Sequence, residues 1–509
     1  MTKITRRRFL EDSLFTAFAA SAAASAVVSV APQVSRAQTG PNEQLGVAIV
    51  GAGGRGGDHI NYFTKDKRTQ IRFLCDPDLA QAERRCKVIE EKFGYKPEAI
   101  DDFRKILENK SVDVVTCAAT NHWHALSAIW ALQAGKHCYI EKPLTYNIHE
   151  GKAIVAAAKK YKLVVQTGTQ CRSAKNVIDC VQFVRDGGIG EVKFARGLCY
   201  KRRKAIGPKG VYPVPEGIDY DLWSGPAPVE APTRKRFHYD WHWQRMYGNG
   251  DLGNQGPHQT DIARWFLGVD RFPQSVISYG GRLGYDVEMK DPNYVDAGDV
   301  ANTEVSIYDY GDKCMVFETR GLQTPNCNIP VGENLGTQVG VIAYGTKGYA
   351  IQGGSKGQTY GQSYAYDLEG KEIKAFTGGD NHYENFVNAV LANDPTAVNA
   401  DARCGALSAA VSHLGNISYY MGEKNRVSVD ELKSALEKVK SLDDNAETLA
   451  RTVKHIEDNG VDLKRTPLSL GPMLKIDVEK EVFIDNDEAN AMLTRNYRAP
   501  YVVPKPEDV

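Results

Sequence analysis

The sequence predicts two domains in series. The first is an α/β domain on a doubly wound parallel sheet; the second is an α+β domain with a mostly antiparallel open sheet and helices. Three observations carry this. From Leu45 to Thr169 short apolar runs alternate with helical patterns, after Gln170 strand-like runs succeed one another with few helices between, and a glycine-rich turn joins the first run to the first helix. Alternation implies parallel strands joined by crossovers, whereas consecutive strands imply hairpins.

In the first domain (residues 44–169) strands are expected at 47–50, 71–75, 112–118, 137–140 and 163–167, with helices at 78–93 and 125–134. Gly135 follows the second helix as its C-terminal cap. In the second domain (170–428) a helix at 176–185 stops at Gly187-Gly188. Strands are expected at 192–200, 275–279, 302–307, 313–319, 337–344 and 348–351, separated by turns such as Tyr310-Gly311-Asp312. Helices at 383–392 and 402–421 follow, and residues 429–509 read as a helical extension. The stretch 201–239, rich in Pro, Gly, Lys and Arg, reads as a long surface or active-site loop.

Residues 1–37 read as a targeting segment. Thr5-Arg6-Arg7-Arg8-Phe9-Leu10 resembles a twin-arginine export motif, an Ala-rich apolar stretch follows, and Ser35-Arg36-Ala37 offers a cleavage site. The apolar stretch is too rich in alanine and serine for a stable bilayer helix, so cleavage, no remaining membrane span and a periplasmic or otherwise exported product are expected. The whole chain has a formal net charge of zero. Because the targeting segment is basic, the remainder is mildly acidic, which argues against nucleic acid as a partner. Ten cysteines occur without a C-x-x-C pair. Cys75, Cys117 and Cys138 sit in apolar strand-like runs and read as small buried hydrophobes, with neither a disulfide framework nor a metal site expected.

The chemistry begins at Leu45-Gly46-Val47-Ala48-Ile49-Val50-Gly51-Ala52-Gly53-Gly54-Arg55-Gly56. A buried strand runs straight into G-x-G-x-x-G. Gly51 permits the tight turn, Gly53 leaves room for a pyrophosphate, and Gly56 lets the helix pack close, its N-terminal N–H groups pointing at the anion. Gly54 and Arg55 complete the loop. A second strand ends at Asp76, where a carboxylate meets the ribose diol of NAD and repels the extra phosphate of NADP, while Arg55 keeps NADP possible. Lys142, at the carboxyl end of a parallel strand, falls in the ligand crevice of such sheets, where burial lowers an amine pKa and fits it to orient or share a hydroxyl proton. Pro143 follows it and biases it toward an extended backbone.

Three segments resemble the Gfo/Idh/MocA oxidoreductases: the glycine loop, Thr120-Asn121-His122-Trp123-His124-Ala125 with the later Glu141-Lys142-Pro143, and Gly250-Asp251-Leu252-Gly253-Asn254-Gln255-Gly256-Pro257-His258 through Asp261 and Trp265. The resemblance spans roughly Gln44 to Lys424 and is nearest the exported branch. It implies a Rossmann first domain with Asn121, His124, Glu141 and Lys142 beside the cofactor, and an acid/base role for His258. It also implies a homo-oligomer, dimer or tetramer, through an uncovered sheet face. Many members carry Asp four residues before this histidine; here stands Asn254, which can orient a group but cannot stabilise an imidazolium, leaving Asp251 or Asp261 as substitutes. Arg172, Trp241, Trp243, His258 and Asp261 are candidate substrate contacts. The two tryptophans are read at strand spacing on one face.

These features lead to a nicotinamide-dependent oxidoreductase acting on a secondary alcohol of a sugar, sugar derivative or cyclitol, with a tightly held NAD. Lys142, His258 and Asn254 carry the chemistry. The alternatives are a redox-assisted glycosidase or lyase that returns its hydride to the product, and a non-catalytic sugar-binding protein on the same scaffold.

Overall fold

The computed structural model describes residues 44–324, 339–353 and 361–509; the targeting segment lies outside them. Six parallel strands form the first sheet: β1 (Leu45–Val50), β2 (Thr69–Cys75), β3 (Glu98–Ile100), β4 (Val114–Cys117), β5 (His137–Ile140) and β6 (Val165–Thr167). Their order is β3-β2-β1-β4-β5-β6. Every residue of β1 is buried, as a central parallel strand covered by helices on both faces must be. The short edge strand β3 was not expected, because Glu98-Ala99-Ile100 carries no apolar run. Helices α1 (Gly56–Phe63), α2 (Leu79–Phe93), α3 (His124–Gln133) and α4 (Ile148–Tyr161) flank the sheet. The strand order reverses between β1 and β4, and the crevice above that point is where open α/β sheets bind ligands.

After α5 (Lys175–Arg185) the chain enters a twelve-stranded sheet. Its centre is β7 (Val192–Tyr200), β8 (Ser275–Gly281), β9 (Thr303–Asp309) and β10 (Cys314–Arg320), continued by β11 (Val339–Gly345), β12 (Gly348–Gln352), β13 (Gln362–Asp367) and β14 (Glu372–Thr377). The run is β14-β13-β12-β11-β7-β10-β9-β8, antiparallel except where β7 lies parallel to β10. The inner face packs Ala195, Met315, Phe317 and Val341 on α5, α7 (Gly256–Leu267) and α9 (Ala402–Met421). A short helix, α6 (Gly250–Asn254), precedes α7 in this layer, whereas α8 (His382–Ala392), before α9, packs Phe386 and Val387 on the first domain beside Val47 and Phe63. Helix α9 is buried on nearly every side because it serves both domains. Ala402 and Ala406 sit in the first core, Leu407, Val411 and Leu414 in the second.

The expectation of a helical extension after 429 needs correction. Helices α10 (Val429–Leu436) and α11 (Asn445–Asp458) do form, but three strands follow: β16 (Leu468–Leu470), β17 (Leu474–Asp477) and β18 (Val482–Phe483). Both β16 and β17 pair with β8, and β16 also pairs with β15 (Arg426–Val427), so the tail extends the sheet edge. Leu432, Leu436, Leu449 and Ile456 pack on Ile277, Val305, Ile307 and Val316 of the outer face. That half of the sheet is therefore covered by the chain itself. The last residues return to the first domain, where Tyr501 and Val503 join the α3 core. Among the described residues no helix is long and apolar enough to cross a membrane.

Candidate active site

The glycine loop lies at the end of β1, as its sequence requires. Gly51 has φ +87°, and a Cβ there would lie 2.7 Å from the Ala118 backbone; a Cβ on Gly56 would meet the Gly51 carbonyl at 1.8 Å. These two glycines are demanded by the protein. Gly53 faces only the end of the Gln81 side chain, and nothing stands within 4 Å of a Cβ on Gly54. The space before Gly53 and Gly54 belongs to a cavity of about 430 Å³, also lined by Asp76, Asn121, His124, Glu141, Lys142 and Asn254. Asp76 directly follows β2 and accepts from the backbone N–H of Ala52 and of Asp78, both at 2.9 Å. Burial lifts its carboxyl to about 6, the two N–H groups opposing.

Glu141 and Lys142 follow β5 directly. Glu141 is buried and gathers Arg55 Nε at 2.8 Å, Gln170 Nε2 at 3.2 Å and His59 Nε2 at 3.3 Å. Burial alone would raise this carboxyl, but His59, Arg55 and Lys142 together hold it well below the usual range. His59 and Gln170 were not singled out from the sequence. His59 lies on the sheet-facing side of α1, where a histidine carries no local signal. Arg55 is thus bound to Glu141, and to Asp58 at 2.7 Å.

Lys142 Nζ donates to the Asn254 backbone carbonyl at 3.1 Å and to its Oδ1 at 3.4 Å. Burial lowers the amine to about 8; Glu141 opposes the fall, and the charges of Arg55, Lys201 and Arg203 add to it. His258, in the first turn of α7, is buried, and burial with the Lys142 charge lowers its imidazole to about 3. His258 lines a second, larger cavity together with Arg55, Glu141 and Lys142. The two cavities therefore share Lys142.

Asn121 stands on the turn after β4, and His124 begins α3. Asn121 donates to Asn249 Oδ1 at 3.1 Å. His124 lies between the carbonyls of Pro143 (2.6 Å) and Ala119 (3.1 Å), and its neighbour His122 lies between those of Trp223 and Tyr247, so both rings bridge backbone rather than converge on a metal.

The long loop of the second domain covers the cofactor-side cavity. Leu222, Trp223, His238, Tyr239, Trp241 and His242 all line it. His238 Nε2 reaches Asp78 Oδ2 at 3.1 Å and Asp219 N donates to Pro77 O at 2.9 Å, so the loop is fastened beside Asp76. Trp241 stacks on His242, with centroids 3.6 Å apart, and Nδ1 of His242 is hydrogen-bonded to Tyr239 O. Burial, with the Lys142 and Arg203 charges, lowers His242 to about 3. His242 was not singled out from the sequence, although it lies within the aromatic run that was.

Three expected substrate contacts are placed otherwise. The segment 240–243 is a 3-10 helix, not a strand. Its tryptophans therefore diverge: Trp241 faces the cavity, whereas Trp243 is buried against Ile206, Ala297 and Val300 under the Arg203 guanidinium. Arg172 and Asp261 face each other in a two-pronged ion pair at 2.8 and 2.9 Å, with Arg172 over the Trp265 ring, and neither lines the cavities that meet at Lys142. Asp251 is likewise held by Arg203, at 2.6 Å, so neither carboxylate substitutes at Asn254.

Residues 45–169 match a family model described as an oxidoreductase family, NAD-binding Rossmann fold, and residues 197–315 match that family's C-terminal alpha/beta domain. The chain is 26% identical over 247 residues to levoglucosan dehydrogenase of Pseudarthrobacter phenanthrenivorans, covering 46% of this chain and 54% of that protein. It is 27% identical over 212 residues to glycosyl hydrolase family 109 protein 1 of Shewanella sp. strain ANA-3, covering 38% and 45%. The chain thus matches about half the length of these curated relatives. Its fold is shared with levoglucosan dehydrogenase in complex with NADH and levoglucosan (TM-score 0.52, 17% identity, 73% of this chain and 96% of that one). It is also shared with GenD2 from gentamicin A biosynthesis in complex with NAD (TM-score 0.51, 19% identity, 73% and 93%). Two domain models, falling in order on the parallel sheet and on the sheet that follows it, identify this chain as a member of the Gfo/Idh/MocA oxidoreductase family.

Proposed function

We propose that this protein is an NAD-dependent oxidoreductase acting on a secondary alcohol of a sugar, a sugar derivative or a cyclitol, with its cofactor tightly held. One observation carries the reading: a single cavity joins the glycine loop and Asp76 to Lys142 and Asn254, and a loop of the second domain covers it. The residues fit the dinucleotide. Gly53 and Gly54 leave open space at the N-terminus of α1, and Asp76 supplies the carboxylate for a ribose diol. Asp76 together with an Arg55 already bound by Glu141 favours NAD over NADP. When bound, NAD supplies the hydride acceptor.

The chain's own residues handle the proton. His258 is neutral at working pH and takes the substrate hydroxyl proton; Lys142, poised near 8, orients that hydroxyl and shares the proton. Asn254 holds Nζ by two oxygens of one residue, a positioning task that needs no charge. The covering loop walls the cleft with Trp223, Tyr239 and Trp241. The relatives named as levoglucosan dehydrogenase support a carbohydrate substrate. Those named glycosyl hydrolase family 109 support the second reading, in which the hydride returns to the product after elimination of an aglycone. Export by the twin-arginine route, with residues 1–37 removed and the product in the periplasm, fits a cofactor loaded before transport. The organisation into 44–169, 170–428 and 429–509 belongs to the same reading. A dimer or tetramer formed through the large sheet would use the β11–β14 half, since the tail covers the other.

The test is to purify the protein, denature it and identify the released nicotinamide by absorbance and mass. Stoichiometric NAD or NADH is the expected result. A protein that emerges empty and binds no added NAD or NADP overturns the proposal. Sugars that reduce the bound cofactor support the oxidoreductase; aglycone release from a glycoside without net reduction supports the second reading.

A further inference from the structure

The cavity holding His258 differs from the one holding the glycine loop, and the difference bears on the substrate. Both are open to solvent, the first a groove of about 1210 Å³, the second a cleft of about 430 Å³. Lys142 and Glu141 lie where they meet, so cofactor and substrate have separate approaches to one reacting centre. From that centre the groove runs along α1, past Asn61 and Tyr62, to Tyr383 and Glu384 at the start of α8. Pockets that enclose a drug-sized ligand measure about 300–1,000 Å³. A single sugar ring, of about a dozen heavy atoms, leaves most of a groove beyond that range unfilled.

The lining narrows the chemistry. Positive and negative side chains occur in equal number along the groove. Several are already paired: Arg55 with Asp58 at 2.7 Å, and Arg68 with Asp66 at 2.5 Å, the latter also accepting from the Tyr62 hydroxyl at 3.0 Å. Such a surface offers many donors and acceptors but no net field to select an ion. Tyr62 and Tyr383 stack at 4.9 Å and 21°, and Tyr383 stacks on Tyr139 with the same values, so Tyr383 lies between two rings and braces Tyr62, whose outer surface stands beside the polar groups. Apolar ring surface with interspersed polar groups suits the alternating C–H and O–H faces of a carbohydrate.

We propose that the groove takes an uncharged glycoside or oligosaccharide of two or more rings, its reacting ring at Lys142 and His258 and its further rings along Tyr62, which Tyr383 braces from behind. The inference rests on the sugar-oxidoreductase reading of the site, and the experiment separates the two. The holoenzyme is given glucose, levoglucosan, cellobiose and cellotetraose, with the maltose and galactoside series in parallel. Reduction of the cofactor is followed by absorbance and binding by intrinsic tryptophan fluorescence. Within the preferred series, both kcat/KM and affinity are expected to rise at least about tenfold from one ring to two or more. Tyr62→Ala is expected to lower oligosaccharide binding more than monosaccharide binding. Affinities that stay level or fall with chain length overturn the groove assignment, whatever the chemistry. Length-dependent binding without cofactor reduction upholds the groove and overturns the oxidoreductase reading. Binding of no sugar at any length overturns both.

Discussion

Lys142 is held by a neutral residue, and that sets how its proton responds. Both oxygens that accept from Nζ belong to Asn254 and neither carries a charge, so the ammonium gains little there to offset burial and the amine sits near 8. Alcohol oxidation releases a proton and needs an unprotonated acceptor. His258 is unprotonated throughout the neutral range, so the remaining limb belongs to Lys142. The rate of sugar-dependent cofactor reduction is therefore expected to climb with pH and level off above about 8. Lys142→Met removes the limb and lowers the rate by about 10²–10⁴-fold. Asn254→Asp places a carboxylate against Nζ, favours the ammonium and moves the limb to higher pH; a limb unmoved in that variant would show that another group titrates. The glycine loop offers a sharper contrast. Gly56→Ala drives a methyl into the Gly51 carbonyl and is expected to lower Tm and abolish NAD binding together. Gly54→Ala meets no protein atom within 4 Å, so Tm should hold while NAD affinity falls. These residues were legible because the motif states its geometry: strand, turn, helix, then an acid at the next strand end. His59 and Gln170 were not, because each acquires its role from Glu141, distant in sequence; His242, braced by its neighbours Trp241 and Tyr239, is one polar ring in a run read for its aromatic faces.

At the scale of elements, the outer sheet face is tied down by a buried charge cluster. Glu318 of β10 accepts from Tyr200 Oη at 2.6 Å and from Arg451 of α11 at 3.0 and 3.1 Å, and also pairs with Arg196 and Arg320. Arg196 in turn pairs with Asp443 before α11. Burial alone would raise the Glu318 carboxyl; the three guanidinium groups hold it far below its ordinary value. Glu318→Ala leaves buried cations without their central anion and is expected to destabilise the protein by about 3–5 kcal/mol, read as a lowered denaturation midpoint. A small loss would mean that α10 and α11 are held by Leu432, Leu436, Leu449 and Ile456 alone. Alternating runs announced β7 to β12 well. What the pattern could not convey is which half of the sheet the tail would cover, since a helix with one apolar stripe does not specify its partner. The tail strands escaped because each is at most four residues long. The segment 240–243 misled for a related reason: Trp-His-Trp has a period of two, but over so few residues a tight helical turn accommodates it equally, and Tyr239 at φ +66° starts that turn.

At the scale of the molecule, the end of the chain secures the cover of the cofactor cavity. Arg498 Nε donates to the carbonyls of Gly225 at 3.1 Å and Ala227 at 3.3 Å, its Nη1 meets Asp221 at 2.6 Å, and Tyr501 Oη reaches the same carboxylate at 3.2 Å. Tyr501 is itself buried in the first-domain core beside Trp123. Leu222 and Trp223, which line the cavity, lie between these anchors. Lifting the loop away from Asp76 therefore requires breaking contacts made by residues near the C-terminus as well as those to Asp78 and Pro77. Each such hydrogen bond contributes about 0.5–1.5 kcal/mol, more where a charge takes part, so removing the Arg498 set is expected to speed NAD dissociation by about ten- to a hundredfold. The Lys142 and His258 region is untouched by that change, so Arg498→Ala should leave the rate of the hydride step as it was. Exchange of bound NAD for a labelled analogue, measured beside single-turnover reduction, separates the two effects. Faster exchange at constant chemistry makes the C-terminal segment the fastening of the cofactor chamber; unchanged exchange would locate retention in the glycine loop and Asp76 alone.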